Sequence, residues 1–260
     1  MSVDIELRDD LAEVVLNRPE KINALDEPMV TALLGALDEA EVQRCRGVLI
    51  RGEGRGFCSG RDLGGVDPLA EDAEAILRQQ FNPLVQRVAG FPAPTFAAVH
   101  GACLGAGLGL ALACDVVYVA DDARLGSPFA KLGAVPDSGA HYFMAGRIGV
   151  HRTLELIYSG RLLSGREAAA IGLVNKSMGR AVLVERTRHL ARQVAGGPTL
   201  AFHESKRIVS RVADEHLDLR GVLAAEAAGQ GTASRTADYV EGIRAFQQKR
   251  SPRFSGRAEA

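Results

Sequence analysis

The chain has 260 residues, of which 47% are hydrophobic and 24% are charged, a composition typical of a globular protein with a sizeable buried core. A formal net charge of −1 provides no general attraction to nucleic acid or to an anionic membrane surface. Residues 1–10 contain neither the basic nor the apolar stretch of a secretory signal, so we expect a cytoplasmic protein.

The first predicted elements alternate between strand and helix. LAEVVL at 11–16 and GVLIR at 47–51 predict buried strands. Between them, Asp26 followed by Pro28 and apolar residues at helical spacing predicts a helix capped at its amino end. This order indicates an α/β fold with ligand-binding turns at the ends of strands.

The next stretch contains no Asp, Glu, Lys or Arg between residues 88 and 114, a length that is sufficient to span a bilayer. Pro92, Pro94 and five glycines interrupt it, so we predict a turn, a short strand and a helix entry instead of a membrane span. Before it, a glycine-dense loop fills 52–66, and 71–88 predicts a helix disturbed at Pro83.

The glycine-rich stretch HGACLGAGLGLALACD at 100–115 follows the short strand predicted within 88–114 and leads into the helix predicted after it. The first turn of a helix has unpaired N–H groups, and glycines leave the backbone uncovered, so a ligand oxygen can approach closely. The stretch therefore predicts either an oxyanion-binding turn or tight packing through small residues. Taken alone, it favours neither interpretation.

The second half of the chain is predominantly helical. Residues 127–148 predict a loop and then a helix that begins near Asp137 or Ser138. Further helices are expected at about 150–158 and at 165–171, where Ser164 provides the cap.

A soft boundary is expected near residue 196, where Gly196, Gly197 and Pro198 interrupt the helical pattern. We therefore predict a core domain at 1–196 and a helical region at 197–260, whose basic end SPRFSGRAEA is expected to fray.

The four cysteines show no CxxC pair and no zinc-like spacing with histidine, so we predict buried, reduced thiols and no metal site. They are Cys45, Cys58, Cys103 and Cys114.

Four motifs carry a resemblance to a known family: LNRPEKINAL at 16–25, GRGFCSGRDL at 54–63, the stretch at 100–115, and DYVEGIRAFQQKRSPRF at 238–254. With them the chain resembles the crotonase superfamily, also called the enoyl-CoA hydratase/isomerase family, over nearly its whole length. The resemblance implies an α/β spiral of repeated β-β-α turns with a helical C-terminal trimerisation region. It also implies that the substrate is an acyl-CoA thioester.

The resemblance further implies where the substrate binds. The family's two oxyanion donors, both main-chain N–H groups, correspond to Arg61 and Ala106, although the family usually has glycine at the second position. Contacts with coenzyme A correspond to Lys21, Ile22, Asp62, Leu63 and, from an adjacent subunit, Phe246 and Lys249. The two lysines have an alternative interpretation as solvated surface charges.

The proton-transfer group departs from the hydratase pattern. Hydratases of the family carry one glutamate three residues after the second donor and another in the next loop, where this chain has Gly109 and Phe129. The remaining acid is Asp137, at a position that faces the acyl pocket in relatives with a catalytic aspartate. Its alternative role is a helix N-cap.

An apolar acyl pocket is expected around Asp137, lined by Phe81, Phe129 and Phe143, and burial there raises the pKa of its carboxyl. His141, four residues later, is expected on the same side of the helix. It either shares the proton transfer or is a partly buried structural histidine.

The combined pattern is similar to that of 2-(1,2-epoxyphenyl)acetyl-CoA isomerases and Δ3,Δ2-enoyl-CoA isomerases, enzymes of phenylacetate and fatty-acid metabolism. We therefore predict an acyl-CoA isomerase, a homotrimer or hexamer, with no cofactor beyond the coenzyme A of its substrate. Two alternatives stay open: an enoyl-CoA hydratase of fatty-acid or aromatic-acid breakdown, and a catalytically silent acyl-CoA-binding homologue. A nucleophilic Ser59 or Ser138 is disfavoured because neither lies in a motif with a paired histidine.

Overall fold

Short apolar strands form the centre of the molecule. A computed structural model describes residues 2–256. In chain order, the strands of this part are β1 (Val3–Arg8), β2 (Leu11–Leu16), β3 (Gly47–Gly52), β4 (Thr95–Val99), β5 (Ala102–Leu104), β6 (Val116–Ala120), β7 (Arg124–Gly126), β8 (Leu163–Ser164) and β9 (Lys176–Met178).

Helices surround the strands and make up the C-terminal quarter. They are α1 (Glu27–Val42), α2 (Ala73–Ile76), α3 (Asn82–Ala89), α4 (Ala106–Leu112), α5 (Ala140–Ile148), α6 (Val150–Ser159), α7 (Gly165–Ala170), α8 (Arg180–Ala195), α9 (Thr199–Asp214), α10 (Leu219–Ala233) and α11 (Ala237–Gln247). Two 3₁₀ turns, Pro19–Lys21 and Phe129–Leu132, lie in loops. No helix in residues 2–256 is long and apolar enough to cross a bilayer.

The larger sheet has the strand order β1-β2-β3-β4-β6-β9, in which β1 is antiparallel to β2 and the remaining pairs are parallel. Its register aligns Leu16 with Gly52 and Arg51 with Ala98. The carboxyl ends of β2, β3 and β4 therefore meet at one edge, where ligands of parallel sheets commonly bind. A smaller sheet, β5-β7-β8, continues beyond that edge.

The predicted helix caps are confirmed. Asp26 accepts a hydrogen bond from Met29 N at 3.0 Å, and Ser164 forms a capping box with Glu167 at the start of α7. These local signals locate the start of both helices, and the helix predicted at 165–171 is α7.

The expected disturbance at Pro83 is present as a local change of helix type. A single π-helical turn at Leu77–Phe81 joins α2 to α3. Pro83 lies two residues after this turn in a continuous helical stretch, so its missing N–H removes one donor from the helical hydrogen-bond pattern. The perturbation therefore lies one turn before the proline.

In the C-terminal region, α9 packs against α10. Lys206 of α9 is anchored to the core through Asp115 at 3.0 Å. The predicted fraying of the terminal segment is wrong for residues 251–256, because Asp238 accepts hydrogen bonds from Ser255 N at 2.6 Å and Gly256 N at 2.9 Å. Residues 257–260 of that prediction lie outside the described residues, and the division at 196 stays a prediction.

Candidate active site

Three loops meet at the carboxyl edge of the larger sheet, and Asn23 holds two of them together. The buried Asn23 side chain donates to the carbonyl oxygens of Glu53 at 3.0 Å, Gly56 at 2.9 Å and Phe57 at 3.0 Å. A single amide thus satisfies three main-chain acceptors of the loop after β3. The 16–25 motif fixes the neighbouring loop in this way.

The first predicted donor, Arg61, lies between two main-chain hydrogen bonds. Leu25 N donates to Gly60 O and Asp62 N donates to Leu25 O, both at 2.8 Å. Gly60 has a φ of +100°, a conformation that favours glycine. Within residues 2–256, no acceptor is found for the N–H of Arg61.

The second predicted donor, Ala106, begins α4. Gly105 precedes it with a φ of +52° and a ψ of −121°, which turns the chain sharply from β5 into the helix. A Cβ placed on Gly60 is 2.9 Å from Leu104 O and 3.7 Å from Ala106 N, so the two donor segments are in contact. In the described part of the chain the N–H of Ala106 also has no acceptor. Two adjacent free N–H groups are the components of an oxyanion hole.

Small residues and thiols pack directly behind these donors. A Cβ on Gly107 is only 2.8 Å from Cys58 Sγ, and Cys103 Sγ donates to Gly107 O at 3.5 Å. Burial raises the pKa of Cys58 to about 12 and that of Cys103 well above its ordinary value. Both thiols therefore stay protonated and serve packing. All four cysteines are free, as predicted, and three of them are buried, whereas Cys45 is half-buried.

Asp137 is not a helix cap. The helix α5 begins at Ala140 with Gly139 before it, and no side chain caps its first turn. The Asp137 carboxyl instead accepts a hydrogen bond of 2.9 Å from the hydroxyl of Ser138, a buried residue with a φ of +52°. Burial raises the pKa of Asp137, while the Ser138 hydrogen bond and the charge of Arg61 act in the opposite direction.

The segment that carries Asp137 packs tightly on α4. A Cβ on Gly109 is 2.2 Å from Ser138 O and 2.6 Å from Ser138 Cβ. Real side chains do not approach so closely, so this position accepts only glycine unless the 137–139 loop moves. The main chain of Ser138 thus lies where the first expected hydratase glutamate requires space.

The predicted pocket residues lie in different surroundings. Phe129 is half-buried, and its ring is 3.2 Å from the position of a Cβ on Gly105, while Phe143 lies against Gly139. Phe81 is buried in the hydrophobic core with 3% exposure. Phe129 therefore covers the turn that precedes the second donor.

The expectation of a partly buried His141 is wrong, because its side chain is exposed. The helix begins two to three residues later than predicted, and its buried face consists of Ala140, Met144 and Ile148. His141 therefore faces solvent.

Four predicted coenzyme A contacts are brought together at the loop edge. The Asp62 carboxylate accepts from Gly64 N at 2.9 Å and pairs with Arg18 at 2.9 Å. The Gly64 hydrogen bond, Arg18 and Lys21 lower the pKa of Asp62. Ile22, with a φ of +52°, accepts from Ser59 N at 2.9 Å, and Leu63 is exposed.

Phe246 and Lys249 lie apart from this group. Phe246 is 84% exposed on α11, and Lys249 follows in an exposed turn. In the segment after α11, Arg253 N donates to Glu241, and Ser255 N and Gly256 N donate to Asp238, which both lie on α11. The chain by itself therefore does not join these two residues to the other contacts.

One charged residue of the site has no sequence signal. Glu71 forms a bidentate ion pair with Arg61, with distances of 2.7 and 2.8 Å. It lies in the loop before α2, ten residues after Arg61, and no periodicity or motif marks it. The hydroxyl of Ser138, which is disfavoured as a nucleophile, donates to Asp137 and not to a histidine. Within residues 2–256, no group of three or more His, Cys, Asp or Glu residues is arranged to hold a metal ion.

The chain is similar to known proteins over nearly its whole length. The family model "Enoyl-CoA hydratase/isomerase" matches residues 6–257. The Rhodobacter capsulatus protein named "Probable enoyl-CoA hydratase" is 36% identical, with 98% of each chain covered. The 1,2-epoxyphenylacetyl-CoA isomerase of Escherichia coli is also 36% identical, with 94% of each chain covered. The crystal structure of enoyl-CoA hydratase from Bacillus anthracis superposes with a TM-score of 0.91 at 29% identity, covering 99% of this chain and 100% of that one.

Proposed function

Because the chain belongs to the enoyl-CoA hydratase/isomerase family, we propose that its site is that of an acyl-CoA isomerase with Asp137 as the single base. The reaction shifts a double bond, or opens an epoxide-derived ring, next to a coenzyme A thioester. It needs no cofactor beyond the coenzyme A of the substrate. The crotonase fold and an acyl-CoA substrate are common to the family, and the choice of isomerase is the proposal.

The proposed reaction has two proton transfers. The Asp137 carboxylate takes a proton from the α-carbon of a 3-enoyl thioester, and the electron pair of that C–H bond forms an enolate. The enolate oxygen accepts hydrogen bonds from the N–H groups of Arg61 and Ala106, which stabilise the developing charge by several kcal/mol. The Asp137 carboxyl then returns the proton to the γ-carbon, the double bond moves to the α,β position, and the base is regenerated.

The raised pKa of Asp137 suits this double role. A carboxyl with an ordinary pKa is a weak base near neutral pH, and a buried one is a stronger base that also holds the proton between the two steps. The Ser138 hydroxyl occupies Oδ1, which leaves the other carboxylate oxygen to take the substrate proton. One side chain is therefore sufficient for removal and return.

The contact between Gly109 and Ser138 carries the preference for isomerisation over hydration. A hydratase uses a second carboxylate to position water, and the expected places hold Gly109 and Phe129. The 2.2 Å approach of Ser138 O to a Cβ on Gly109 leaves no room for such a side chain. This packing supports a site with one acid.

Two assays on the wild-type protein test the proposal. Conversion of 3-enoyl-CoA to 2-enoyl-CoA and hydration of 2-enoyl-CoA are followed in parallel, by absorbance and by mass, with short, medium and aromatic acyl chains. The proposal predicts isomerisation with hydration at least tenfold slower. Dominant hydration would support the hydratase alternative, and tight binding without turnover of any ester would support the silent binder.

We also propose that the chain forms homotrimers or pairs of trimers. Exposed apolar side chains on the C-terminal helices support assembly, among them Val209 at 68%, Leu219 at 74%, Leu223 at 55%, Ile243 at 45% and Phe246 at 84% exposure. Light scattering coupled to size exclusion measures the mass directly. A monomer at micromolar concentration contradicts this assembly without bearing on Asp137.

A further inference from the structure

The side chain of Arg61 brings a full positive charge to the region that its main-chain N–H serves. Its two terminal nitrogens donate to the two oxygens of Glu71 at 2.7 and 2.8 Å. Both side chains are largely shielded, with 23% exposure for Arg61 and 17% for Glu71. A bidentate pair of this kind fixes the direction of the guanidinium as well as compensating its charge. The Arg61 hydrogen bonds also lower the pKa of Glu71, which keeps that carboxylate ionised.

The same guanidinium acts on Asp137 without pairing with it. Its charge stabilises the Asp137 carboxylate, but no ion pair joins the two side chains. The Arg61 charge lowers the pKa of Asp137, but by less than the Ser138 hydrogen bond does, and both act against the larger effect of burial. Lys131 in the preceding 3₁₀ turn and His141 on α5 are exposed to solvent. A change in the charge or position of the Arg61 guanidinium is therefore expected to shift the pKa of this carboxyl.

We propose that Glu71 is a positioning residue for proton transfer, because it holds and neutralises the Arg61 guanidinium and so prevents it from pairing with the Asp137 carboxylate. This inference rests on the proposed role of Asp137 as the base. A guanidinium bound to Asp137 occupies an oxygen that must accept the substrate proton, and it weakens that oxygen as a base. Glu71 thus holds the Arg61 guanidinium near the oxyanion hole and leaves the Asp137 carboxylate able to accept a proton.

A purely structural role for the pair predicts a different behaviour. The ion pair also ties the donor loop to the segment before α2, so its loss could loosen that loop and lower both activity and stability. Such loosening is not expected to shift the pKa of Asp137 in opposite directions when Glu71 and Arg61 are substituted separately. The titration therefore distinguishes the two roles.

The test is a titration of the Asp137 carboxyl carbon by NMR in the free protein, identified by its loss in Asp137→Asn. Glu71→Gln leaves the Arg61 charge uncompensated, so the pKa of Asp137 is expected to fall. Arg61→Gln removes the charge and keeps the main-chain N–H, so the pKa is expected to rise, and the double variant should follow Arg61→Gln. Glu74→Gln, which removes an equal charge from the exposed Arg78 pair, is the matched control and should titrate like the wild type.

Activity provides the second readout. In Glu71→Gln, the acid limb of kcat/KM for isomerisation is expected at lower pH, and kcat is expected to fall about threefold to tenfold because the base is weaker. Shifts of Asp137 in the same direction for both single variants, or no shift in Glu71→Gln, would overturn the proposal. Should Glu71→Gln fail to fold, the absence of an upward shift in Arg61→Gln would overturn it. Because the titration uses the free protein, its outcome is independent of the reaction, whereas a wild type without isomerase activity counts against the proposed function alone.

Discussion

The donor side and the acid side of the candidate site hold their functional groups in different ways. On the donor side, the N–H groups of Arg61 and Ala106 belong to the main chain, and glycines with unusual dihedrals or very close contacts fix their positions. On the acid side, the function lies in the single side chain of Asp137, steadied by one hydrogen bond from Ser138. The donor side is therefore sensitive to added volume, and the acid side is sensitive to changes of charge and polarity.

Gly109→Ala is expected to have the largest effect, because Gly109 lies on α4, the helix of the second donor, and contacts the loop that carries Asp137. Its methyl group meets Ser138 O at 2.2 Å, so either α4 or the 137–139 loop must move. A displacement of about 1 Å at the reacting groups costs on the order of 10²-fold in rate, and we expect at least that loss of kcat together with a lower Tm.

The matched control is Gly146→Ala in α5, where no atom lies within 4 Å of the added Cβ. Helix propensity makes that change neutral or slightly stabilising. Equal effects of the two substitutions on kcat would show that the Gly109 contact does not position the acid.

Gly60→Ala breaks the donor side alone. The glycine has a φ of +100°, and a Cβ there is 2.9 Å from Leu104 O, so the Arg61 N–H must shift. We expect a fall in kcat of about 10–100-fold with little change in substrate binding, since the hole stabilises the transition state more than the ground state. The control is Gly65→Ala, which introduces backbone strain at a φ of +84° but has open space around the added Cβ. A difference between the two variants therefore reports the contact with Leu104 O. A similar loss in both variants contradicts the expectation.

Ser138→Ala alters the acid side without removing the acid. The Ser138 hydroxyl lowers the pKa of Asp137, so its loss raises that pKa further and moves the acid limb of kcat/KM to higher pH. Below the limb the rate is expected to fall about threefold to tenfold, the value of an ordinary hydrogen bond. In Ser59→Ala, whose hydroxyl donates to Lys21 O instead, the limb should stay in place. A limb that moves to lower pH refutes this account of the hydrogen bond.

Asp137→Asn is expected to raise stability slightly while it lowers activity. Because burial raises the folded-state pKa of Asp137, ionisation of this carboxyl destabilises the folded protein at pH values above that pKa. At pH values below the unfolded-state pKa, the carboxyl is protonated in both states and this destabilisation is absent. The variant should therefore melt roughly 2–4 °C higher than the wild type at neutral pH, and the gain should vanish at acid pH. Calorimetry at the two pH values measures the difference, and a variant that is less stable at neutral pH contradicts it.

Several elements of the fold could be predicted from local sequence signals. The caps at Asp26 and Ser164 and the apolar strands at 11–16 and 47–51 are properties of adjacent residues, so the sequence pattern predicts them well. The family resemblance predicted the two donor positions as well as Asp137, and these assignments stay predictions until they are tested by substitution.

The remaining features depend on contacts between distant segments. The approach of Ser138 to Gly109 joins residues 29 positions apart, and no local pattern indicates that the missing glutamate also lacks space. Glu71 is found only through its ion pair with Arg61. The start of α5 was misplaced by two to three residues, which is sufficient to turn His141 from the pocket to solvent.

The most direct measurement is the rate at which Asp137→Asn converts a 3-enoyl-CoA to the 2-enoyl-CoA, with affinity for the same ester measured by calorimetry on the same sample. With the donor side intact and the only base removed, the account predicts a loss of kcat of about 10³-fold and a Kd within about threefold of the wild type. A variant that keeps more than a tenth of the wild-type rate would contradict the assignment of Asp137 as the single proton carrier.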